Sequence, residues 1–168
     1  KSVTNNDTLT LTCADSEYVE FVIENETKKS KTKFSLKLLD INEDILDVPE
    51  LQMDVMTTIP SVDFQRICRD MGNLATDIEI YRDGTELQLS CKGDFANQST
   101  VIECPAKVDC KVGNLFSLKY MNLFTKATGM CSSVQLLQHV TESDMPIVLK
   151  YSIANLGDMK FYLAPKVD

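Results

Sequence analysis

The segment Leu118-Lys-Tyr-Met-Asn-Leu-Phe-Thr-Lys-Ala-Thr128 decides how the rest of the chain is interpreted. At about 100° per residue, an α-helix over this segment gathers apolar side chains on one face and polar side chains on another. The predicted apolar face holds Tyr120, Leu123, Phe124 and Ala127, and the predicted polar face holds Lys119, Asn122 and Lys126. The segment therefore predicts a short amphipathic helix that keeps its two lysines together on one side.

An upstream segment, from Ser61 to about Ala75, repeats this arrangement, with Ser61 as the predicted N-cap after Pro60. Its predicted apolar face holds Phe64, Ile67, Cys68, Met71 and Leu74, and nearly opposite lie Arg66, Arg69 and Asn73. Two helices with basic faces in a chain of net charge -8 indicate one surface reserved for a polyanion.

Composition limits the possible classes of protein. The chain has 168 residues, of which 43% are hydrophobic, enough for one domain and part of another. The negative net charge argues against non-specific nucleic-acid binding by the protein surface as a whole, so the position of the cations matters more than their number. The six cysteines are irregularly spaced without a C-x-x-C motif, which favours free thiols in a reduced intracellular protein over a disulfide framework. No apolar run approaches the length of a membrane-spanning helix.

Alternation of polar and apolar residues predicts strands at 8–13, 18–23 and 34–38. We expect these to be the end of a first domain, residues 1–37, whose start lies outside the chain. Residues 38–54 alternate acidic and aliphatic residues around Pro49, which predicts an extended acidic connector; a solvated surface loop is the alternative.

The second domain is predicted to span residues 55–168, and in it the order strand, helix and three strands occurs twice. The predicted strands are 53–59, 77–81, 86–92, 99–103, 115–118, 134–137, 147–153 and 159–163, with a turn at Asp83-Gly84. This order predicts an α+β fold, with two βαβββ-type repeats and the helices on one face of an antiparallel sheet.

Three motifs together carry a family resemblance. The sequences Pro60-Ser-Val-Asp-Phe-Gln-Arg-Ile-Cys-Arg-Asp70, Tyr120-Met-Asn-Leu-Phe-Thr-Lys-Ala-Thr128 and Phe161-Tyr-Leu-Ala-Pro-Lys166 occur in this order. The set resembles the proliferating cell nuclear antigen family, the eukaryotic sliding clamps of DNA replication, over essentially the whole chain. The resemblance implies the DNA-clamp fold and a ring of three subunits, with helices lining a hole through which DNA passes.

The resemblance also implies which residues face the duplex. They are Arg66, Arg69, Asn73, Lys119 and Lys126, with Lys1 near another basic position of the inner face. Contacts of this kind go to phosphates, are screened by salt and read no bases. A solvated helix face is the alternative reading of the same residues.

A second implied surface is a groove for partner peptides, which insert an aliphatic residue and two aromatic residues. Its implied residues are Leu46, Val48 and Pro49 of the connector and Pro146, Tyr162, Leu163, Ala164 and Pro165 of the second domain. The alternative is that Tyr162 and Leu163 only complete a core strand.

The third implied surface is the subunit edge, where the strand with Phe34 and Leu36 pairs with a neighbour's strand around Ser99 and Val101. A head-to-tail contact of this kind closes into a ring. Because the first domain lacks its N-terminal elements, we expect that this chain does not close a stable ring alone. The segment between Glu103 and Leu115 contains Pro105 and departs from the family pattern, which leaves the neighbouring strand in question.

No catalytic chemistry is predicted. His139 is the only histidine and is expected on the surface, and Cys104 and Cys110 lack partners for a metal site, so neither metal nor cofactor is expected. The predicted function is a non-enzymatic, nuclear sliding clamp, a homotrimer when intact. It would tether DNA polymerases, ligase, nucleases and the clamp loader through short peptide motifs. The alternatives are a peptide-binding interaction module and a subunit of a DNA-damage checkpoint clamp.

Overall fold

The computed structural model describes residues 3–13, 17–40, 53–140 and 144–166. The chain divides into two compact units, Lys1–Pro49 and Glu50–Asp168, which are described separately below. The connector residues Leu46, Val48 and Pro49 of the predicted groove lie outside the described residues, as does Lys1. The predicted boundaries of the connector therefore stay predictions.

The first unit contains a three-stranded antiparallel sheet of β1 (Thr8–Thr12), β2 (Tyr18–Asn25) and β3 (Ser30–Lys37), with β2 in the centre. The register places Phe21 opposite both Leu11 and Phe34, so apolar side chains share one face. Ion pairs between Lys31 and Glu24 (2.8 Å) and between Lys33 and Glu20 (2.6 Å) lie on the other face. The alternation seen in the sequence therefore does produce strands with two unlike faces.

The second unit contains two α-helices, one 3₁₀ helix and six strands among its described residues. In chain order they are β4 (Val55–Pro60), α1 (Ser61–Gly72), β5 (Asp77–Lys92), β6 (Asn97–Ser117), α2 (Leu118–Phe124), a 3₁₀ helix (Thr125–Met130), β7 (Ser133–Gln138), β8 (Ile147–Ile153) and β9 (Gly157–Leu163). One antiparallel sheet has the order β4-β7-β8-β9, and β5 and β6 form a long antiparallel pair. Among the helices of the described ranges, none has the length and apolar character needed to cross a bilayer.

One hydrophobic core joins the helices to the strands of the second unit. Phe64 and Met71 of α1 and Met121 of α2 are fully buried in it, together with Ile80 of β5 and Leu149 of β8. Both helices thus pack against inward-facing strand residues, as expected of an α+β unit. The apolar face predicted for α1 is confirmed, because Phe64, Ile67, Cys68 and Met71 are buried and Leu74 packs against the core.

The predicted N-cap of α1 is wrong. Pro60 occupies the N-cap position, and Ser61 is the first helical residue and is buried. The Ser61 hydroxyl donates a hydrogen bond to the Cys131 carbonyl oxygen (2.6 Å). Its side chain therefore ties the helix start to the end of the 3₁₀ helix and does not cap α1.

The predicted turn at Asp83-Gly84 is also wrong, because β5 continues through it as a bulge. The register with β6 shifts on both sides of Gly84, whose φ of 53° suits a residue without Cβ. Likewise β6 runs unbroken through the Glu103–Leu115 region, with Pro105 exposed within it. Two long strands thus replace the four short strands predicted between the helices.

Arg82 is the buried residue on which this bulge depends. It is 1% exposed, and its guanidinium donates to the carbonyl oxygens of Gly84 (2.6 Å), Glu86 (3.1 Å) and Ala106 and to the Thr57 hydroxyl (3.2 Å). These acceptors come from β4, β5 and β6, so one side chain joins three strands. A buried charge needs hydrogen-bond partners. In a regular strand these carbonyl groups would not face Arg82, and the bulge turns them towards its guanidinium.

Replacing Arg82 by leucine should lower the free energy of unfolding of the second unit by about 2–4 kcal/mol, because three carbonyls lose a charged donor. Urea denaturation followed by circular dichroism measures this. Gln88→Ala, an exposed change on the same strand, is the control and should have a small effect. An equally small effect of Arg82→Leu would show that the guanidinium does not hold the bulge.

Candidate nucleic-acid interface

The two helices of the second unit lie side by side and run antiparallel. The Gln65 amide nitrogen donates to the Thr125 carbonyl oxygen (2.8 Å), and the Asn122 amide nitrogen donates to the Cys68 carbonyl oxygen (3.1 Å). A residue later in α1 therefore contacts a residue earlier in α2 and the 3₁₀ helix. The approach is close at Gly72, where a Cβ would lie 2.7 Å from the Asn122 amide nitrogen.

The apolar face predicted for α2 is partly wrong. Leu118 and Met121 are buried, whereas Tyr120 is 46% exposed and Leu123 is 44% exposed. Ala127 is buried and Phe124 is half-buried, stacked on Phe161 with ring centroids 4.7 Å apart. The hydrogen bond from Asn122 to α1 points this residue inwards and so fixes the rotation of α2 about its axis.

The structure brings the predicted DNA-facing residues onto one surface. We call the solvent-exposed side of α1, α2 and the 3₁₀ helix the helix layer. All five predicted residues are exposed on it: Arg66, Arg69, Asn73, Lys119 and Lys126. Because Gln65 contacts Thr125, the residues that follow them, Arg66 and Lys126, lie within about one helical turn of each other along the antiparallel pair. Asn73 follows the last residue of α1 and so lies towards the start of α2.

The two arginines of the helix layer each lie beside a carboxylate. A guanidinium nitrogen of Arg66 is 3.4 Å from Asp63, and one of Arg69 is 3.7 Å from Asp70. The Lys119 ammonium lies 5.8 Å from the centre of the Tyr120 ring. All four side chains of the two ion pairs are about half exposed or more, so each pair is weak and can exchange partners. The helix layer can therefore offer guanidinium and ammonium groups to phosphate oxygens.

The second-unit residues of the predicted peptide groove also come together. Ile147 pairs with Leu163 and Val148 with Tyr162, so Pro146 lies at the same end of this ladder as Ala164 and Pro165. Leu163 packs against the core, as the core-strand alternative expected, but Tyr162 is exposed. The chain beyond β9 is held to the start of β5, since the Lys166 ammonium is 2.7 Å from Asp77.

The predicted subunit edges are exposed. Phe34 and Leu36 of β3 and Val101 of β6 are exposed hydrophobic side chains, and Ser99 is exposed beside Val101. Within the described ranges, backbone pairing joins β3 to β2 and β6 to β5, which leaves one edge of each strand open in this chain. Their role in subunit pairing stays a prediction.

His139 is less exposed than the surface position predicted for it. Its side chain is 15% exposed, and its Nδ1 lies 3.6 Å from an Asp54 carboxylate oxygen that also accepts the Val140 backbone N–H (2.9 Å). In the part of the chain that the structure describes, no group of three or more His, Cys, Asp or Glu residues could hold a metal ion. The six cysteines are free, and burial raises the pKa of the Cys68 thiol to about 12.

Sequence reasoning misplaced Asn122 and missed two residues of the helix layer. Asn122 was predicted to share the polar face of the lysines, but it contacts α1 instead. Asp63 and Asp70 were not singled out, although the spacing of Asp63 and Arg66 by three residues is a recognisable signal for a helical ion pair.

Two comparisons with known proteins agree with this geometry. Residues 47–166 match the family model described as proliferating cell nuclear antigen, C-terminal domain. A protein described as probable DNA polymerase sliding clamp 1, from Paramecium bursaria Chlorella virus 1, is 35% identical over 161 residues. This match covers 90% of the chain and 60% of the relative, so the chain spans about three fifths of the relative's length.

Replacing Asn122 by alanine should lower the free energy of unfolding by about 1 kcal/mol, because the hydrogen bond between the helices is lost. The Cys68 carbonyl oxygen then has one donor fewer. Thermal or urea denaturation measures the change, with Lys119→Ala on the exposed side of α2 as the control. A loss no larger than that of the control would mean that Asn122 does not join the helices.

Proposed function

We propose that this chain, which belongs to the proliferating cell nuclear antigen family, forms part of a sliding clamp that encircles duplex DNA and tethers replication and repair factors to it. The observation that carries the proposal is the helix layer, where an antiparallel helix pair presents five exposed basic and amide side chains. Phosphates repeat along a duplex regardless of sequence, so such a surface binds DNA without reading bases.

The proposed role requires no reaction at the protein. A clamp acts by holding its partners near DNA, which raises their effective concentration. On this proposal the protein is not an enzyme, the intact protein is a homotrimer, and it works in the nucleus, where the replicating DNA lies. Its partners are DNA polymerases, ligase, nucleases and the clamp loader.

The distribution of charge supports a mobile contact with DNA. The chain carries a net charge of -8, so the protein as a whole repels phosphates. The cations of the helix layer are exposed and extend from helices packed on a rigid core, and exposed contacts of this kind exchange rapidly and weaken with salt. A surface of this type holds a duplex loosely while allowing it to move.

The triple variant Arg66→Ala/Arg69→Ala/Lys126→Ala should weaken duplex binding by roughly tenfold or more at low salt, because Lys126 and two arginines that share their charge with aspartates no longer contact phosphates. Fluorescence anisotropy with a short labelled duplex, repeated at several salt concentrations, measures both the affinity and its salt dependence. The slope of log K against log salt should become shallower by roughly 2.

The matched control is Lys111→Ala/Lys150→Ala/Lys160→Ala, which removes the same charge from strand residues. Lys111 and Lys150 flank the buried Val112, Leu149 and Tyr151 on their strands, so they point away from the core that the helices cover. Equal weakening by the two triple variants would mean that net charge alone governs binding and would overturn the proposed role of the helix layer.

We also propose that the end of the β8–β9 ladder is one wall of a peptide groove. Tyr162 is exposed there, and Pro146, Ala164 and Pro165 present apolar surface without charge. Aromatic and aliphatic side chains of a peptide bury well on such a surface. This supports capture of partners through short segments that carry an aliphatic and two aromatic anchors.

A synthetic peptide with these anchors should bind with a dissociation constant in the micromolar range, roughly, and Tyr162→Ala should weaken it by roughly tenfold. Isothermal titration calorimetry measures this, with Lys160→Ala two residues away on the same face of β9 as the control. Unchanged binding to Tyr162→Ala would exclude this wall from the groove.

A further inference from the structure

We infer that Asp63 and Asp70 limit the strength of duplex binding by occupying the arginines of the helix layer. The inference rests on the proposed function and assigns these two carboxylates a tuning role in it. Asp63 lies 3.4 Å from Arg66, and Asp70 lies 3.7 Å from Arg69. Each of the two arginines of α1 therefore has a carboxylate of its own helix beside it.

Carboxylate and phosphate compete for the same groups. Both are anions with several acceptor oxygens, and a guanidinium binds either through two parallel N–H donors. A phosphate that contacts Arg66 or Arg69 must share the guanidinium with the aspartate beside it or displace that aspartate. In either case the carboxylate stays on the helix, well within a Debye length of about 10 Å at 0.1 M salt, and repels the phosphate.

The two lysines of the helix layer differ from the arginines. Among the ion pairs of the described residues, none includes Lys119 or Lys126. The charges of Asp63, Arg66, Arg69 and Asp70 cancel on α1, while Lys119 and Lys126 leave the layer with two uncompensated cations. The net positive charge with which the helix layer attracts a duplex is therefore smaller than the summed charge of its basic residues.

Helix stability does not explain both aspartates. Asp63 lies in the first turn of α1, where a negative charge is favourable beside the positive end of the helix dipole. Asp70 lies two residues before the end of the helix, where the same charge is unfavourable. Among the ion pairs and side-chain hydrogen bonds of the described residues, the Asp70 carboxylate takes part in the one with the adjacent Arg69. A carboxylate that costs helix stability and neutralises an arginine fits a role at the binding surface.

The test compares Asp63→Asn/Asp70→Asn with the control Asp83→Asn/Asp158→Asn in the full 168-residue chain. The control removes two carboxylates that are also paired, with Lys111 (3.0 Å) and Lys150 (3.0 Å), but that lie on strands. Both double variants raise the net charge by two. Anisotropy with a short duplex over a range of salt concentrations gives affinity and salt slope, and circular dichroism monitors the fold.

The helix-layer variant should bind about fivefold tighter at low salt, with a salt slope steeper by about 1, because two arginines that are no longer shared with carboxylates contact phosphates more fully. The control should change affinity less than about twofold and keep the slope of the unmodified chain. Asp70→Asn alone should give roughly half of the change in slope without loss of helix, so it tests the inference even if Asp63→Asn weakens α1.

Two failures can be told apart. If the helix-layer variant and its control bind alike, or if the helix-layer variant binds more weakly, the tuning role is wrong and the proposed function stands. If the arginine and lysine triple variant also binds as well as the unmodified chain, or if that chain does not bind duplex at low salt, both the tuning role and DNA binding by the helix layer are wrong.

Discussion

The packing of two antiparallel helices on one apolar core is the constraint on which the proposed interface depends. Phe64, Met71 and Met121 are fully buried, so neither helix can turn without exposing a large side chain. The hydrogen bond from Asn122 to the Cys68 carbonyl oxygen fixes how the two helices face each other. Because the rotation of each helix is fixed, the arginines of α1 point to solvent. The same holds for Lys119 of α2 and Lys126 of the 3₁₀ helix.

How far the sequence predicts each helix depends on the length and contrast of its pattern. The helix α1 has twelve residues, of which Phe64, Ile67 and Met71 are buried. Arg66 and Arg69 are exposed on the other side, so the periodicity predicted the buried face correctly. The seven residues of α2 include apolar side chains on every side, and periodicity over two turns does not decide among them. The contact with α1 decides, and a contact between distant segments is absent from local sequence.

In the strands, too, some features follow from the local sequence and others from contacts between distant segments. The strands predicted at 134–137, 147–153 and 159–163 are observed as β7, β8 and β9, and β7 alternates between half-buried and buried residues. The Asp83-Gly84 dipeptide has the composition of a turn, yet β5 continues through it because Arg82 holds carbonyls of β5 and β6 in the core. A buried arginine satisfied by backbone oxygens has no signature in composition. The exposed arginines are easier to predict, since Arg66 and Arg69 follow from the phase of α1 alone.

The central claim is that the helix layer, and not the chain as a whole, contacts duplex DNA in this acidic protein. Nuclear magnetic resonance of the isotope-labelled chain, titrated with a short duplex at low salt, tests it most directly. We expect the largest shift changes at residues 61–73 and 118–130, including the Nε signals of Arg66 and Arg69. Changes concentrated on the outward-facing residues of β8 and β9, or spread evenly over all lysines of the chain, would contradict the account.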